Sequence, residues 1–199
     1  MQDACYDPSV VQAAVDLANT LRPIKGEDAL ETVEQLRDFL DGHPEVEPPA
    51  SAATHGQQGT GPRQLTRADL AEVRALRETV REVLERADAD ADAVGAAALI
   101  NDGLRRSRAL PVLRHEGDRW WTEVASDSDR RSAHLAATML SALACVIATL
   151  GPARLGVCAG PTCRATFVDL SRNGSKQYCT RTCAHRASVA AYRSRRSPR

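Results

Sequence analysis

Two cysteine pairs near the end of the chain decide how the rest of it can be interpreted. The first pair lies in the segment Cys158-Ala-Gly-Pro-Thr-Cys163, and the second in Cys179-Thr-Arg-Thr-Cys183. A Gly-Pro turn lets the first two sulfurs face one point. In the second segment Thr180 can cap a helix whose first turn contains Cys183. The spacing therefore predicts that four thiols converge on one site.

Zinc suits such a site because it accepts tetrahedral thiolate coordination and has no redox chemistry. The predicted ligands are Cys158, Cys163, Cys179 and Cys183. Four sulfurs leave no position for a water or substrate, so one structural Zn²⁺ is expected. Its binding free energy, typically about 10–16 kcal/mol, could fold a segment with few apolar residues. Two disulfides, or four unrelated thiols, are the alternatives.

The chain between the cysteine pairs predicts a short hairpin. Residues 165–169 and 175–178 are β-prone and flank Ser171-Arg-Asn-Gly174, and Asn-Gly is a strong local signal for a hairpin turn. A knuckle, a hairpin and a helix start, in this order, form a treble-clef arrangement.

The same residues resemble the CGNR zinc finger over about residues 158–196. The resemblance rests on the Cys-x4-Cys spacing, Phe167-Val-Asp-Leu-Ser-Arg-Asn-Gly174, Tyr178-Cys179 and Cys183-Ala-His-Arg186. In that family the finger ends a set of bacterial stress-related transcriptional regulators, so the resemblance implies DNA binding. The chain departs from the family in two places. The Cys-Gly-Asn-Arg sequence that gives the family its name is Cys-Ala-His-Arg in this chain. The second cysteine pair encloses three residues, where members of the family often have four.

A second resemblance lies near the start of the chain. Ala14-Val-Asp-Leu-Ala-Asn-Thr20 is similar to the Leu-Asp-Phe-x-Asn-Thr stretch that opens the ABATE domain, which usually accompanies this finger. Asp16, Asn19 and Thr20, together with Trp121, are predicted to line a ligand pocket. The alternative is that these side chains cap or bridge neighbouring elements, and that the tryptophan is a core or covering residue.

Charge is distributed unevenly along a chain whose formal net charge is zero. Residues 154–199 contain ten basic residues and one acidic residue, a charge of +9, so residues 1–153 carry −9. An acidic body joined to a basic end is typical of a protein that binds a polyanion. Double-stranded DNA is the predicted partner. The residues predicted to contact it are Arg172, Lys176, Arg181, Arg186, Arg193, Arg195 and Arg196.

The fold predicted from these patterns is mainly α with a small β-hairpin. Residues 1–153 are expected to form a helical sensing or dimerisation domain with a flexible insertion at about 43–63, and residues 154–199 the treble-clef-like finger. Apolar spacing predicts helices at 8–22, 28–40, from Thr66 onward, 93–106 and 126–150. It also predicts a hairpin of 110–115 with 119–124, and a final basic helix at 180–196. Trp120 and Trp121 are adjacent, so one of them is expected in the core.

Several residues are assigned structural roles. The arginines of the helix that begins at Thr66, including Arg77 and Arg81, are predicted to form a solvated face with neighbouring glutamates. Cys145 is predicted to be a small core residue, and Cys5 has no evident partner. The apolar helix at 131–150 is predicted either to lie in the middle of a helix bundle or to form a homodimer interface.

The composition also limits the classes of function. No secretory signal and no run of ~20 apolar residues is visible, so a cytoplasmic location is expected. No catalytic motif is found, so an enzyme is not expected. The predicted function is a zinc-dependent transcriptional regulator that senses an effector or stress and binds DNA. The alternative is an adaptor that binds RNA or a protein.

Overall fold

The computed structural model describes residues 5–22, 24–47, 64–88 and 92–196, and within them the fold is mainly helical. The helices are α1 (Pro8–Asn19), α2 (Val33–Asp41), α3 (Arg67–Arg86), α4 (Ala93–Arg106), α5 (Arg131–Leu150) and α6 (Arg181–Arg196). The strands form three antiparallel pairs, which are β1 (Leu21–Arg22) with β2 (Glu27–Asp28), β3 (Ala109–Glu116) with β4 (Arg119–Ser126), and β5 (Leu155–Val157) with β6 (Thr166–Val168). The predicted fold class is confirmed.

Local capping explains where the helices begin. Thr66 starts α3 with a reciprocal capping box to Asp69, as its sequence predicts. Helix α2 begins at Val33, later than predicted, because Thr32 and Gln35 form a second capping box there. The preceding Asp28 lies in β2, and its carboxylate accepts a hydrogen bond from the Leu30 N–H at 2.8 Å. The β1–β2 pair was not predicted from the sequence.

The hydrophobic core of the helical part lies between α1, α3, α4 and α5. Its largest fully buried side chains include Leu17, Leu84, Leu135, Met139, Leu140 and Leu143. By length and composition α5 is the one helix in the described ranges that could cross a membrane, a test that core helices also pass. Helix α5 packs against three other helices and β4, and its buried residues belong to the core of the chain.

Two predictions about the middle of the chain are corrected. The predicted insertion at 43–63 is ordered at its beginning, where Pro44–Val46 forms a 3-10 turn and Val46 is buried. Residues 48–63 lie outside the described residues. The β3–β4 hairpin matches its prediction, but neither tryptophan is in the core. Trp120 is 61% exposed and Trp121 is half-buried, since the short sheet is covered on neither face well enough to bury an indole.

The first residues of the chain are tied to α5. Cys5 forms a disulfide with Cys145, and the two Cα atoms are 5.9 Å apart. This bond joins the segment preceding α1 to the last third of α5 and spans 140 residues of sequence. It corrects the assignments of Cys145 as a simple core residue and of Cys5 as a cysteine without a partner.

The β5–β6 hairpin belongs to the same packing unit as the helices. Leu155 and Val168 lie in the hydrophobic core cluster. Asn19, the last residue of α1, forms hydrogen bonds with the backbone of Thr166 in β6. Its amide nitrogen donates to the Thr166 carbonyl at 2.9 Å, and its amide oxygen accepts from the Thr166 N–H at 2.8 Å. The Asn19 side chain thus makes the two backbone hydrogen bonds that a second neighbouring strand would make with Thr166.

A buried arginine strengthens the same junction. Arg81 of α3 donates to the carbonyls of Ala18, Leu21 and Arg164, and it is only 6% exposed. Its charge is balanced by Glu85 at 2.9 Å. The arginine therefore satisfies backbone acceptors on both sides of the junction, and buried acceptors left without donors would be costly.

We predict that Asn19→Ala lowers the free energy of unfolding by roughly 1–3 kcal/mol, because the buried Thr166 backbone would lose both partners. Chemical denaturation monitored by circular dichroism measures this change. Gln12→Ala, an exposed change on the same helix, is the control and should cost less than about 0.5 kcal/mol. Equal losses in both variants would contradict the role assigned to Asn19.

Candidate metal centre and basic surface

Four cysteine sulfurs are gathered at the end of the β5–β6 hairpin and the start of α6. The Sγ atoms of Cys158, Cys163, Cys179 and Cys183 all lie within 4.8 Å of one another. The Cys163–Cys179 and Cys179–Cys183 sulfur distances are both 3.7 Å. Tetrahedral zinc with Zn–S bonds near 2.3 Å requires sulfurs about 3.8 Å apart. The donor set and its spacing therefore fit one Zn²⁺.

The first pair is held by a tight backbone turn. The Cys158 N–H donates to the Ala165 carbonyl at 2.8 Å, and the Cys163 N–H to the Gly160 carbonyl at 3.1 Å. A Cβ on Gly160 would lie 3.3 Å from the Cys163 Cβ and 3.4 Å from the Cys158 sulfur. A side chain there would crowd the turn, which wraps closely around the sulfurs.

The second pair is set by the start of α6. The Thr180 hydroxyl accepts a hydrogen bond from the Cys183 N–H at 3.2 Å, which fixes the first turn as its sequence predicts. The backbone between the pairs is also connected, because the Ala159 N–H donates to the Gln177 carbonyl at 2.9 Å. Knuckle and helix start therefore face each other around the four cysteines, as the predicted treble-clef-like finger requires, but the chain between them differs from the prediction.

Electrostatics favours a cation at this point. Burial raises the pKa of the Cys163 thiol, and burial together with the neighbouring thiols raises the pKa of Cys179. Hydrogen bonding to the Thr180 side chain lowers the pKa of Cys183. Several thiolates cannot gather in one partly buried place without a positive charge between them. A dication supplies that charge, which is why zinc affinity and thiol ionisation are coupled.

The predicted hairpin between the cysteine pairs is wrong in its pairing. Strand β6 pairs with β5, in the register Leu155↔Val168, and not with residues 175–178. Residues 169–177 form an irregular loop organised by Asp169, which is 3% exposed. Its carboxylate accepts hydrogen bonds from the Ser171 N–H at 2.9 Å and the Lys176 N–H at 2.8 Å. One buried carboxylate thus replaces strand pairing.

Arg154 completes this loop from the other side. Its guanidinium donates to the carbonyls of Asp169 and Ser171. Gly174 has φ +59°, and a Cβ there would lie 2.8 Å from the Arg154 guanidinium carbon. The Asn-Gly pair is therefore explained by a close approach as well as by a left-handed turn.

Comparison with known protein families agrees with this geometry. The sequence profile of ABATE, described as "putative stress-induced transcription regulator", matches residues 12–150. The profile of the CGNR zinc finger matches residues 154–196. The chain belongs to the ABATE family. No curated protein matches it. Both resemblances seen in the sequence are confirmed, and the CGNR finger with its four clustered cysteines holds one structural zinc.

The predicted nucleic-acid residues of this ABATE protein fall into three groups. Arg172, Arg181, Arg186 and Arg193 are exposed, and no acidic side chain of the described ranges forms an ion pair with them. Lys176 differs, because its ammonium group donates to the Val168 carbonyl at 3.3 Å and lies 5.2 Å from the Phe167 ring centroid. Lys176 is exposed, but its ammonium group is held against the finger. Arg195 and Arg196 end α6, and their side chains lie outside the described residues.

The four residues of the predicted ligand pocket have other contacts. Asn19 holds Thr166, and the Thr20 hydroxyl donates to the Leu17 carbonyl at 2.7 Å. Asp16 accepts from Gln12 at 2.9 Å and lies 3.8 Å from His43, while Trp121 is on the β3–β4 hairpin under the Arg119 guanidinium. These contacts favour the bridging alternative, and a ligand pocket here stays a prediction.

Two arginines of α3 were assigned wrongly. Arg77 and Arg81 are 3% and 6% exposed, so they are part of the interior and not of a solvated face. Arg77 donates to the Asp28 carboxylate at 2.6 Å. Burial alone would raise the pKa of Asp28, but hydrogen bonds from Arg77 and the Leu30 N–H outweigh it and lower that pKa. Helical spacing gave a signal, since Val73, Arg77, Val80, Arg81 and Leu84 share one stripe.

We predict that Cys179→Ser abolishes stoichiometric zinc binding, because the buried site would lose one of four thiolates. Metal analysis after gel filtration measures zinc per chain. Cys5→Ser changes a cysteine outside the site and should retain one zinc. A Cys179→Ser protein that keeps one zinc and its thermal stability would overturn the ligand set.

We predict that Asp169→Asn destabilises the finger by about 1–3 kcal/mol. Burial alone would raise the pKa of Asp169, but hydrogen bonds from Ser171 and Lys176 lower it below its ordinary 3.8. The carboxylate therefore stabilises the fold at pH values above 3.8, and this contribution is lost as the pH falls through the lowered pKa.

Thermal unfolding of the zinc-loaded protein should show the same deficit for Asp169→Asn at about pH 6 and about pH 8, since both lie well above that window. Asn173→Ala, at an exposed position of the same loop, is the control and should behave as wild type. A deficit that appeared only at one of the two pH values would contradict the assignment.

Proposed function

We propose that this ABATE protein is a transcriptional regulator whose zinc finger binds double-stranded DNA through α6 and the adjoining loop. The observation that carries the proposal is an exposed helix whose described arginines form no ion pair with the described acidic residues. Helix α6 contains no acidic residue, and most of its described residues are exposed. Zinc contributes by folding the finger, and the contacts to DNA fall to arginine side chains.

The rest of the chain shows how unusual this charge is. Arginines of the helical part are mostly neutralised within the chain by ion pairs, as are Arg74, Arg77, Arg81, Arg86, Arg106, Arg108, Arg114, Arg130 and Arg131. The exposed arginines of the finger have no such partners among the described residues. Guanidinium groups left free for an external anion suit phosphate oxygens, which they bind in a bidentate manner.

The spacing along α6 also suits a nucleic-acid backbone. Arg186 and Arg193 are seven positions apart, so they project from the same side of the helix about 10 Å from each other. Arg181 lies in the first turn. Tyr192 is 54% exposed, so the helix surface around it is accessible to a groove. Phosphate contacts are the commonest use of such residues.

The helical part has the complementary role in this proposal. It carries the negative charge of the chain, which keeps it away from the DNA backbone, and it would sense an effector or stress signal. The protein is proposed to act in the cytoplasm and without catalysis. Homodimerisation through α5 remains a proposal, and part of that helix packs within its own chain.

We predict steeply salt-dependent binding to random-sequence duplex DNA. With 6–10 phosphate contacts, affinity should fall roughly 10³–10⁵-fold between 50 and 200 mM salt. Fluorescence anisotropy over a salt series measures this. Replacing Arg186 and Arg193 together by alanine should weaken binding and reduce the slope of log K against log salt by about two.

Arg37→Ala, at an exposed position of α2, removes the same kind of charge from the helical part and is the matched control. It should leave the slope unchanged. Binding that did not respond to salt, or equal effects of both changes, would count against DNA contact through α6. Competition by duplex RNA at matched salt separates the adaptor alternative, which requires RNA to compete at least as well as DNA.

A further inference from the structure

The Cys5–Cys145 pair is a second cysteine site, separate from the zinc centre and unused by the proposed function. The Cα separation of 5.9 Å lies in the middle of the range that a disulfide requires. The finger's thiols belong to a metal cluster. Cys5 and Cys145 are joined to each other instead. The chain therefore sorts its six cysteines into four metal ligands and one oxidisable pair.

Access to solvent distinguishes this pair from a structural crosslink in a core. Cys5 is exposed and Cys145 is half-buried. The Thr149 hydroxyl, one helical turn beyond Cys145, lies 3.5 Å from the Cys5 sulfur, so a polar group also faces the bond. An oxidant or a reductant can reach these sulfurs while the helices stay packed, which favours reversible chemistry.

The Cys5–Cys145 disulfide is placed where it restrains the start of α1. Cys5 lies just before Asp7, the residue that caps α1, and the Asp7 carboxylate accepts from the Ser9 N–H at 2.8 Å. At the opposite end of α1, the Asn19 side chain forms a hydrogen bond with the Thr166 backbone of the finger. Oxidation therefore fastens to α5 the helix whose other end positions the finger.

We propose that Cys5 and Cys145 form a reversible oxidation site for hydroperoxides. The Cys5 thiolate attacks one oxygen of hydrogen peroxide, so that an S–O bond forms, the O–O bond breaks and hydroxide leaves as water after taking up a proton. The Cys145 thiolate then attacks the Cys5 sulfur, which forms the S–S bond and expels the second oxygen as water. The peroxide gains the two electrons that the two thiols lose.

The expected effect of oxidation is stabilisation of the helical part. A crosslink between residues 140 positions apart strongly restricts the conformations of the unfolded chain. A disulfide that closes so long a loop is expected to raise the melting temperature by roughly 10 °C. Disulfides that form in a reducing compartment are usually transient and redox-sensing. This inference shares the proposed cytoplasmic location with the proposed function, but it does not depend on DNA binding.

The test treats reduced, zinc-loaded full-length protein with one equivalent of hydrogen peroxide. Free thiols are then alkylated, and disulfides are mapped by non-reducing proteolysis and mass spectrometry. We expect a peptide linked through Cys5 and Cys145, one zinc still bound per chain, and loss of the link on treatment with dithiothreitol. Melting should move upward on oxidation and return on reduction.

Cys5→Ser, in the exposed segment before α1, should melt like the reduced wild type and show no response to peroxide. Cys145→Ala provides a second variant that lacks the link by removal of the other partner. The proposal is overturned if peroxide first releases zinc, if it links Cys5 of one chain to another chain, or if the Cys5→Ser protein still shows the peroxide-dependent rise in melting temperature.

Discussion

Repulsion among four gathered thiolates is the constraint on which the finger depends. Their sulfurs lie within 4.8 Å of one another, a spacing that ionised groups can keep only around a cation. The short strand pair, the Asp169 loop and the first turn of α6 contain few apolar residues that could hold them together. Metal coordination therefore takes the place of a hydrophobic core in the finger.

The finger is nevertheless part of the helical body. Strand β6 is buried along its whole length, and its neighbours are α1 and α3 of the helical part. At this junction, one asparagine and one arginine form hydrogen bonds with backbone groups of four residues. Two family profiles that meet between residues 150 and 154 thus describe one continuous packing unit.

Local signals in the sequence predicted a large part of this structure. The capping box at Thr66, the apolar stripe of α3, the β3–β4 hairpin and the convergence of four cysteines are all determined by residues close together in the chain. Predictions failed where distant residues decide the outcome. Strand β5 is only three residues long, and its pairing with β6 depends on the core beneath it.

Buried polar residues were the other source of error. Arg77 and Arg81 look like surface residues by type, and only their acceptors on α1, β2 and the finger make burial favourable. In the Asp-x-x-Asn-Thr stretch, the asparagine side chain binds the chain's own backbone, and the ligand pocket expected there stays a prediction. The Cys5–Cys145 pair is separated by 140 residues, a distance over which no spacing rule applies.

The position of Asn19 connects the two parts of the chain physically, because its side chain binds the Thr166 backbone of β6. If a small molecule bound better to one placement of α1, it would change the free energy of this contact. Such a coupling would be reciprocal, so a change at β6 would alter the affinity for that small molecule by the same factor.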